Sequence, residues 1–422
     1  VLVALVSGVV TFAASWAIWK LSHRYRLYPQ IRARDVHTRP TPRLGGIALF
    51  LGIVLAFAVG SQLPALALIY AQPQQVLAVL GAALLIVLIG VADDIWDLDW
   101  FTKLAGQIMA AGLLAWQGVQ IVWIPLPGTV APLSPYMSLL VTIFLIVLVM
   151  NAVNFIDGLD GLVAGVAIIA SAAFFVYGYI VSYGPTEQSN YFNLAQFITA
   201  ALIGGCAGFL PWNWRRGDER PARLFMGDGG ALLVGLLMAT STVALAGQSV
   251  PASTSQGLVA LIPVILPIAV LIVPLADFTL AILRRMRAGK SPFSADRKHL
   301  HHRLLDMGHS HVHAVIIFYA WTVVASAGML LFLIPGRGLL TGGIVMLVGF
   351  LVCTIVTLAP LSRRKAAEAA VQSAPAELAV DAGVAEFDPL DAASGVSAAG
   401  VEHTSAEAAE ALRRLQEKEA TP

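Results

Sequence analysis

Uncharged apolar stretches of about 20 residues recur along most of this chain, and they restrict its possible folds more than any other feature. A helix of that length crosses the roughly 30 Å of hydrocarbon in a bilayer. Of the 422 residues, 58% are hydrophobic and only 12% are charged, whereas soluble domains carry about 25% charged residues. The sequence therefore excludes a soluble globule and predicts an all-α polytopic integral membrane protein. We predict about eleven transmembrane helices, at approximately residues 1–19, 44–61, 75–92, 104–123, 136–156, 162–183, 194–213, 230–247, 257–283, 314–334 and 339–361.

The basic residues predict the orientation of these helices. Of 26 Lys and Arg residues, only Arg337 falls in the loops of one face, so the positive-inside rule makes the opposite face cytoplasmic. With an odd number of spans, the N-terminus is then outside and the C-terminus is cytoplasmic. The acidic residues follow the same bias, because only Glu187 of the fourteen that precede residue 362 falls on the outer face. We expect the working face to be cytoplasmic.

The composition changes near residue 362, where the apolar stretches end. Residues 1–361 are predicted to form one membrane-embedded domain, and the Ala- and Glu-rich residues 362–422 are predicted to form a disordered cytoplasmic tail. The two cysteines, Cys206 and Cys353, lie inside apolar stretches and do not indicate disulfides or a metal site. A net charge of +1 gives no indication of nucleic-acid binding.

Five polar clusters interrupt the apolar pattern, and the predicted topology places all of them on the cytoplasmic face. Chemistry or ligand binding is the simplest reason for such a convergence, because ionised groups are costly in hydrocarbon. The clusters are RARDVHTRPTPRLGG (32–46), VADDIWDLDWFTK (91–103), NAVNFIDGLDGL (151–162), ARLFMGDGGALL (222–233) and KSPFSADRKHLHHRLLDMGHSHVH (290–313).

Two of the clusters carry paired carboxylates. Asp93 and Asp94 directly follow an apolar stretch, and adjacent carboxylates need a cation, a shared proton or good solvation. Because Mg²⁺ is usually held by one or two carboxylates and substrate phosphates, this loop suits a diphosphate–metal site; a hydrated turn is the alternative. The cluster at 151–162 has polar residues three apart, which keeps them close on a helix. Hydrogen bonds between helices would explain its asparagines but not its aspartates.

The other three clusters are individually weaker signals. Asp228 stands among glycines where a helix begins, so free backbone N–H groups could face a phosphate there; a simple glycine turn is the alternative. The imidazole and guanidinium groups of 290–313 suit phosphate binding and proton transfer. A zinc site is the rival interpretation, although an HExxH pattern is absent. The basic residues of 32–46 either contact a ligand or only set the topology.

In this order, the clusters resemble those of the polyprenyl-phosphate N-acetylhexosamine-1-phosphate transferase family, glycosyltransferase family 4. The NxxNxxDGLDGL pattern is complete and specific, DDxxD is less specific, and the resemblance covers residues 1–361. The HLHHR form is similar to the branch that uses undecaprenyl or decaprenyl phosphate and UDP-N-acetylglucosamine. Two features depart from the family: Gly-Gly-Ala follows Asp228, and the segment from Asn213 to Phe225 is longer than usual. The second departure puts a nucleoside contact by Asn213 in doubt.

The resemblance implies the roles of individual residues. It implies catalytic roles for Asp93, Asp94, Asp157 and Asp160. It implies a Mg²⁺ site at Asp228 with help from Asp94, with Mn²⁺ as a substitute ion. Phe225 would stack on uracil, and the loop histidines would contact the phosphates of the nucleotide sugar. The predicted substrate-binding residues are Asn151, Asn154, Phe225, Arg297, His299, His301, His302, Arg303 and Lys103.

The resemblance also implies a reaction: transfer of N-acetylglucosamine 1-phosphate from the UDP-sugar to polyprenyl phosphate, with release of UMP. This would be the first membrane step of glycan assembly for a prokaryotic cell envelope, with a homodimer as the expected assembly. One alternative is the phospho-N-acetylmuramoyl-pentapeptide transferase activity of the same family. A cation-coupled secondary transporter is the alternative of another class, but its site would lie near the midplane between repeats. CDP-alcohol phosphotransferases are disfavoured because their DGxxAR signature is absent.

Overall fold

The structure is a computed structural model that describes residues 1–25, 41–126, 129–182, 194–215, 221–248, 272–287 and 309–358, together with the isolated residues 269, 289, 304, 305 and 307. The predicted tail at 362–422, most of the predicted span at 257–283 and most of the histidine-rich cluster lie outside these residues.

The described residues form twelve α-helices, one short 3-10 turn at Pro64–Leu66 and one β-hairpin. The hairpin consists of β1 (Trp123–Leu126) and β2 (Thr129–Pro132). The helices are α1 (Leu2–Tyr25), α2 (Gly45–Gly60), α3 (Ala67–Tyr70), α4 (Pro73–Trp96), α5 (Trp100–Trp116), α6 (Pro135–Ile156), α7 (Leu162–Ser182), α8 (Leu194–Asn213), α9 (Gly227–Gln248), α10 (Ile272–Arg287), α11 (His311–Leu331) and α12 (Gly338–Leu358).

Eight of the described helices are long and apolar enough to cross a membrane, namely α1, α4, α6, α7, α8, α9, α11 and α12. A ninth span is possible if α2 and the bent segment Pro64–Tyr70, which turns by 102°, count as one. The prediction of a polytopic helical membrane protein is thus confirmed at this coarser level. The predicted count of eleven is not reached within the described residues, partly because 257–283 lies mostly outside them.

The region predicted as a span at 104–123 differs from the prediction, and it also departs from an all-α fold. Its helix, α5, has 17 residues and ends at Trp116. Gly118 adopts a φ of +87°, a left-handed conformation that glycine tolerates and that ends a helix. The chain then enters the antiparallel β1–β2 hairpin, in which Trp123 pairs with Pro132. Hydrophobicity alone hid this break, since most of the residues at 119–123 are apolar.

Helix α9 forms the centre of the bundle. In its apolar window 94% of the residues are buried, against 11% for α12. It packs against α2, α4, α6 and α8, and its first turn approaches two neighbouring backbones closely. A Cβ atom added at Gly46 would meet the backbone of Gly230, and one added at Gly90 would meet that of Gly229. Glycine is therefore required where α2 and α4 pass the beginning of α9, next to Asp228.

Candidate active site

The ends of three helices bring four predicted aspartates to one place. Helix α4 carries Asp93 and Asp94 in its last turn, and it stops at Asp97, whose φ of 53° is left-handed; Asp tolerates this conformation better than most side chains. Asp228 lies in the first turn of α9. Asp157 caps the C-terminal end of α6. The structure thus joins residues that are up to 135 positions apart in the sequence.

Lys103 joins Asp93 to Asp228. Its Nζ lies 2.5 Å from Asp93 Oδ2 and 3.4 Å from Asp228 Oδ2. The side chain of Asp93 is only 4% exposed, whereas those of Lys103 and Asp228 are 25% and 35% exposed. We call Asp93, Asp94, Asp228 and Lys103 the acidic cluster. Its inner end is buried and its outer end is open to a ligand.

Two carboxylate oxygens of the acidic cluster are buried without a hydrogen-bond partner among the described residues, Asp93 Oδ1 and Asp94 Oδ2. Asp94 Oδ2 lies beside Gly227, where an added Cβ atom would meet it. Buried polar atoms of this kind are rare in folded proteins, because each costs roughly 1–3 kcal/mol. Oxygens left in this state are suited to a cation that arrives with the ligand.

The acidic cluster fits Mg²⁺ only as a site shared with substrate. Among the described residues, no three His, Cys, Asp or Glu side chains are arranged to hold a metal ion together. Mg²⁺ does not require three, since it is commonly bound by one or two carboxylates with water and phosphate oxygens. The unpartnered Asp94 Oδ2 and the half-exposed carboxylate of Asp228 are the oxygens that match this pattern.

Asp157 faces the acidic cluster from the end of α6. Burial and, to a lesser extent, the negative charges of Asp228 and Asp160 together raise the pKa of its carboxyl group to about 7, although the positive charge of Arg43 opposes them. A carboxyl group with such a pKa can accept or release a proton near neutral pH. The geometry therefore agrees with a catalytic role for Asp157, which remains a prediction.

Asn151 and Asn154 lie on the last two turns of α6, but their surroundings differ. Asn151 Nδ2 donates to Gln107 Oε1 at 2.5 Å and to the Val147 carbonyl at 2.8 Å. This amide pair joins α5 to α6, which is the interhelical role that the sequence left open for the asparagines. The side chain of Asn154 is partly exposed. Substrate binding by either residue remains a prediction, and it is geometrically simpler for Asn154.

Asp160 belongs to a different environment from the other predicted catalytic acids. Its side chain is 1% exposed, and Oδ2 accepts hydrogen bonds from Arg215 Nε at 3.0 Å and from the Ala222 N–H at 3.1 Å. A carboxylate enclosed by a guanidinium and a backbone amide is positioned to hold a loop in place. Its predicted catalytic role is untested.

Gly161, the next residue, is held from both sides. Its N–H donates to Asn213 Oδ1 at 2.9 Å, and its carbonyl accepts a hydrogen bond from the Tyr319 hydroxyl at 2.6 Å. Its φ of +83° is a conformation that favours glycine. Asn213 Nδ2 also donates to the Leu224 carbonyl at 3.1 Å. We call the contacts that Asp160 and Gly161 make with Arg215, Asn213 and Tyr319 the loop anchor.

Most residues of the loop anchor were not predicted as functional from the sequence. Arg215 stands out there only as a topology signal, and Tyr319 is hidden in an apolar stretch with no motif around it. Asn213 was considered only for a nucleoside contact. The oxygen and the nitrogen of its side-chain amide both bond to the protein backbone, and the residue is 3% exposed. The structure therefore gives Asn213 a supporting role.

Phe225 lies in a short backbone ladder beside the acidic cluster. Its N–H donates to the Pro42 carbonyl, and its own carbonyl accepts from the Gly45 N–H at 3.0 Å. The Met226 carbonyl accepts from the Gly46 N–H in the same way. The first polar cluster therefore contacts the fourth through the main chain, and the ring of Phe225 stays partly exposed. Stacking on uracil by Phe225 remains a prediction.

The predicted ligands of the fifth cluster lie outside the described residues. These are Arg297, His299, His301, His302 and Arg303. Among the described histidines nearby, His309 is buried and its ring contacts the Thr357 carbonyl at 3.2 Å, and His313 pairs with Ser310, the N-cap of α11.

Comparison with known proteins identifies the family of this chain. Residues 76–246 match the family described as Glycosyl transferase family 4. The decaprenyl-phosphate N-acetylglucosaminephosphotransferase of Mycolicibacterium smegmatis is 41% identical over 372 residues, which cover 86% of this chain and 89% of that protein. The protein of the same name from Mycobacterium tuberculosis strain H37Rv is 42% identical over the same shares.

A more distant relative extends the similarity. The undecaprenyl-phosphate alpha-N-acetylglucosaminyl 1-phosphate transferase of Escherichia coli K12 is 27% identical over 318 residues, which cover 74% of this chain and 78% of that protein. The higher identities to the mycobacterial proteins extend over most of both chains. The chain therefore belongs to glycosyl transferase family 4.

Proposed function

We propose that this protein transfers N-acetylglucosamine 1-phosphate from UDP-N-acetylglucosamine to a polyprenyl phosphate, giving polyprenyl-diphospho-N-acetylglucosamine and UMP. The observation that carries the proposal is the acidic cluster, formed at the meeting point of α4, α5 and α9, in a chain that is 41% identical to a decaprenyl-phosphate N-acetylglucosaminephosphotransferase. The names of the relatives favour this function over pentapeptide-sugar transfer and over transport.

In the proposed reaction, an oxygen of the polyprenyl phosphate attacks the sugar-bearing phosphorus of the donor. The bond from that phosphorus to the bridging oxygen breaks, and UMP leaves with the bond electrons. Near pH 7 a phosphate monoester is largely dianionic, because its second pKa is about 6. It therefore needs little help from a base. Asp93 Oδ1 has no hydrogen-bond partner among the described residues and can take the remaining proton.

Asp94 and Asp228 are the proposed Mg²⁺ ligands, and Mn²⁺ would substitute. The bound ion would offset the negative charge of the diphosphate and of the departing UMP. Lys103, whose side chain is 25% exposed, would contact phosphate oxygens. Residues 297–303 would add positive charge around the donor.

The proposal includes an orientation and an assembly. The acidic cluster would face the cytoplasm, where nucleotide sugars occur, and the lipid phosphate would reach it from the inner leaflet. The asymmetric distribution of Lys and Arg supports this orientation. Labelling of single cysteines introduced near Asp97 and near the β1–β2 hairpin, in intact cells, tests it. A homodimer is also proposed, and light scattering of the detergent-purified protein tests it.

A transfer assay tests the function itself. Purified protein in detergent receives polyprenyl phosphate, Mg²⁺ and labelled UDP-N-acetylglucosamine or labelled UDP-N-acetylmuramoyl-pentapeptide. We expect lipid-soluble label and equimolar UMP with the first donor, and loss of both with a chelator. Label with the second donor only would move the protein to the pentapeptide-sugar activity. Absence of label with either donor would overturn the proposal.

A further inference from the structure

We propose that Lys103 is the internal counter-ion of the acidic cluster in the metal-free protein, and that it leaves Asp228 when a divalent cation binds. This inference rests on the proposed function for the identity of the substrate, but not for the ion exchange itself. The structure places Lys103 Nζ between Asp93 and Asp228, at 2.5 and 3.4 Å from their Oδ2 atoms. The amine therefore lies against a carboxylate that the proposed metal ion must also contact.

The negative charges of the acidic cluster need compensation, and a cation is one way to supply it. Asp93 and Asp94 are consecutive, and Asp228 reaches them from α9. The positive charge of Arg43 also acts on Asp94 and Asp228. Three carboxylates so close together repel one another strongly, because little water separates them. The ammonium of Lys103 relieves part of this repulsion.

The two contacts of Lys103 are unequal, and the difference indicates which one breaks. Asp93 is 4% exposed and lies 2.5 Å from the amine, whereas Asp228 is 35% exposed and lies 3.4 Å away. The weaker, more exposed contact is the one that an incoming cation can replace. Asp94 Oδ2, which has no hydrogen-bond partner among the described residues, is a second oxygen for that cation.

The backbone under Lys103 is fixed, so the exchange needs only side-chain rotation. Lys103 lies in the first turn of α5, and its N–H bonds to the carbonyl of Asp99. Asp99 is the N-cap of that helix and accepts the Thr102 N–H at 3.2 Å. The side chain of lysine has a flexible four-carbon stem, so its amine can move while the backbone stays in place. After leaving Asp228, the amine can turn outward from the same pivot to meet the donor diphosphate.

The exchange predicts opposite effects of one substitution on two measured quantities. Replacing Lys103 by Met removes the competing charge but keeps the side-chain length. Metal affinity should then rise, because the cation no longer displaces an ammonium. Turnover should fall, because the diphosphate loses a positive partner. A lysine that only stabilised the fold, or that only helped to bind metal, would not separate the two effects in this direction.

The test measures Mn²⁺ binding by electron paramagnetic resonance of the free ion, at pH 7.5, on the full chain in detergent without substrates. We expect Lys103→Met to bind Mn²⁺ at least about tenfold more tightly than the wild type, and Lys103→Arg to bind like the wild type. Lys20→Met, which removes an exposed lysine lying over Trp16 on α1, is the matched control and should change nothing. Adding Asp228→Asn to Lys103→Met should abolish the gain.

Unchanged or weaker Mn²⁺ binding by Lys103→Met would overturn the inference, and so would an absence of binding in every variant. Because no donor or acceptor is present, the result does not depend on the proposed function. Tighter binding by Lys103→Met in a protein that transfers no sugar phosphate would keep the exchange and reject the function. A transferase whose Lys103→Met form binds Mn²⁺ no better would keep the function and reject the exchange.

Discussion

The acidic cluster and the loop anchor lie at the same end of the helix bundle and both depend on aspartates, yet their surroundings differ in kind. In the acidic cluster, buried oxygens of Asp93 and Asp94 have no hydrogen-bond partner among the described residues. In the loop anchor, Asp160 Oδ2 accepts two hydrogen bonds, and Gly161 is bonded through both its N–H and its carbonyl. Adjacent acids with oxygens that lack a donor indicate a site that awaits a ligand, whereas an acid held by a guanidinium and a backbone amide indicates a support.

This contrast separates residues that share one motif. Asp157 and Asp160 stand three positions apart in DGLDGL, but Asp157 is influenced by Asp228 while Asp160 is enclosed by Arg215 and Ala222. Within this loop, Asp157 therefore belongs to the proposed reaction site, whereas Asp160 and Gly161 support the fold. Substitutions in the acidic cluster should mainly lower activity, and substitutions in the loop anchor should mainly lower thermal stability. Measurements of both quantities distinguish the two effects.

The largest expected effect is the loss of activity in Asp228→Asn. Removing this carboxylate should lower transfer at least about a hundredfold, the scale seen when a group that stabilises developing charge is removed. The melting temperature should change little, because the relief of repulsion with Asp93 and Asp94 offsets the lost attraction to Lys103. The measurements are the transfer assay and a fluorescence-detected melting curve in detergent. Substantial remaining activity would contradict the proposed metal role of Asp228.

The opposite pattern is expected for Asp160→Asn. The substitution leaves Arg215, whose side chain is 10% exposed, as a charge without its carboxylate. Breaking a buried ion pair in this way costs roughly 3–5 kcal/mol, so the melting temperature should drop by several degrees. In the double variant Asp160→Asn/Arg215→Gln, part of that loss should return. If Asp160→Asn melts like the wild type but is inactive, the catalytic role predicted from the motif is the correct one.

A smaller effect is expected from the ionisation of Asp157. Its folded-state pKa is raised to about 7, whereas an unfolded Asp titrates near pH 3.9. Between those values the folded state binds more protons, so the free energy of unfolding should decrease as pH rises from about 4 to about 7 and then level off. Melting curves in a chelator from pH 5 to 8 measure this slope. Asp157→Asn should reduce it, and an unchanged slope would assign the titration to another group.

The acidic cluster could be predicted from the sequence better than the loop anchor, for a physical reason. Charged residues at the ends of apolar stretches are conspicuous, since hydrocarbon tolerates few of them. Asp93, Asp94, Asp157 and Asp228 could therefore be selected by their positions along the chain. Helix ends that lie on one face of a membrane domain also have to be neighbours, which explains why these acids meet.

The loop anchor depends on contacts that leave no local pattern. Tyr319 is one aromatic residue in an apolar helix, and its hydroxyl reaches a carbonyl 158 positions away. The β1–β2 hairpin was missed for a related reason, because its strands have only four residues each and no alternation of polar and apolar side chains. Hydrophobic length measures whether a segment can enter the bilayer, but it does not report where Gly118 allows the chain to turn.

The smallest expected effect, and the finest test of the comparison, comes from Tyr319→Phe. The ring stays in place, stacked near Trp214 and packed over Gly165, and only the hydrogen bond to the Gly161 carbonyl is lost. A neutral hydrogen bond contributes about 1 kcal/mol, so the melting temperature should fall by no more than a few degrees. Asp157 stands four positions before Gly161 in the same loop, so the position of its carboxyl group should also become less fixed.

We therefore expect Tyr319→Phe to lower the transfer rate severalfold, with little change in the substrate concentration needed for half-maximal rate. Tyr136→Phe, at a position that is 82% exposed, provides the control for removing a hydroxyl and should affect neither quantity. If Tyr319→Phe loses stability without losing rate, the loop anchor supports only the fold, and Asp157 does not depend on it. If Tyr319→Phe has a lower transfer rate but melts like the wild type, the loop anchor acts on the reaction site directly and not only through the stability of the fold.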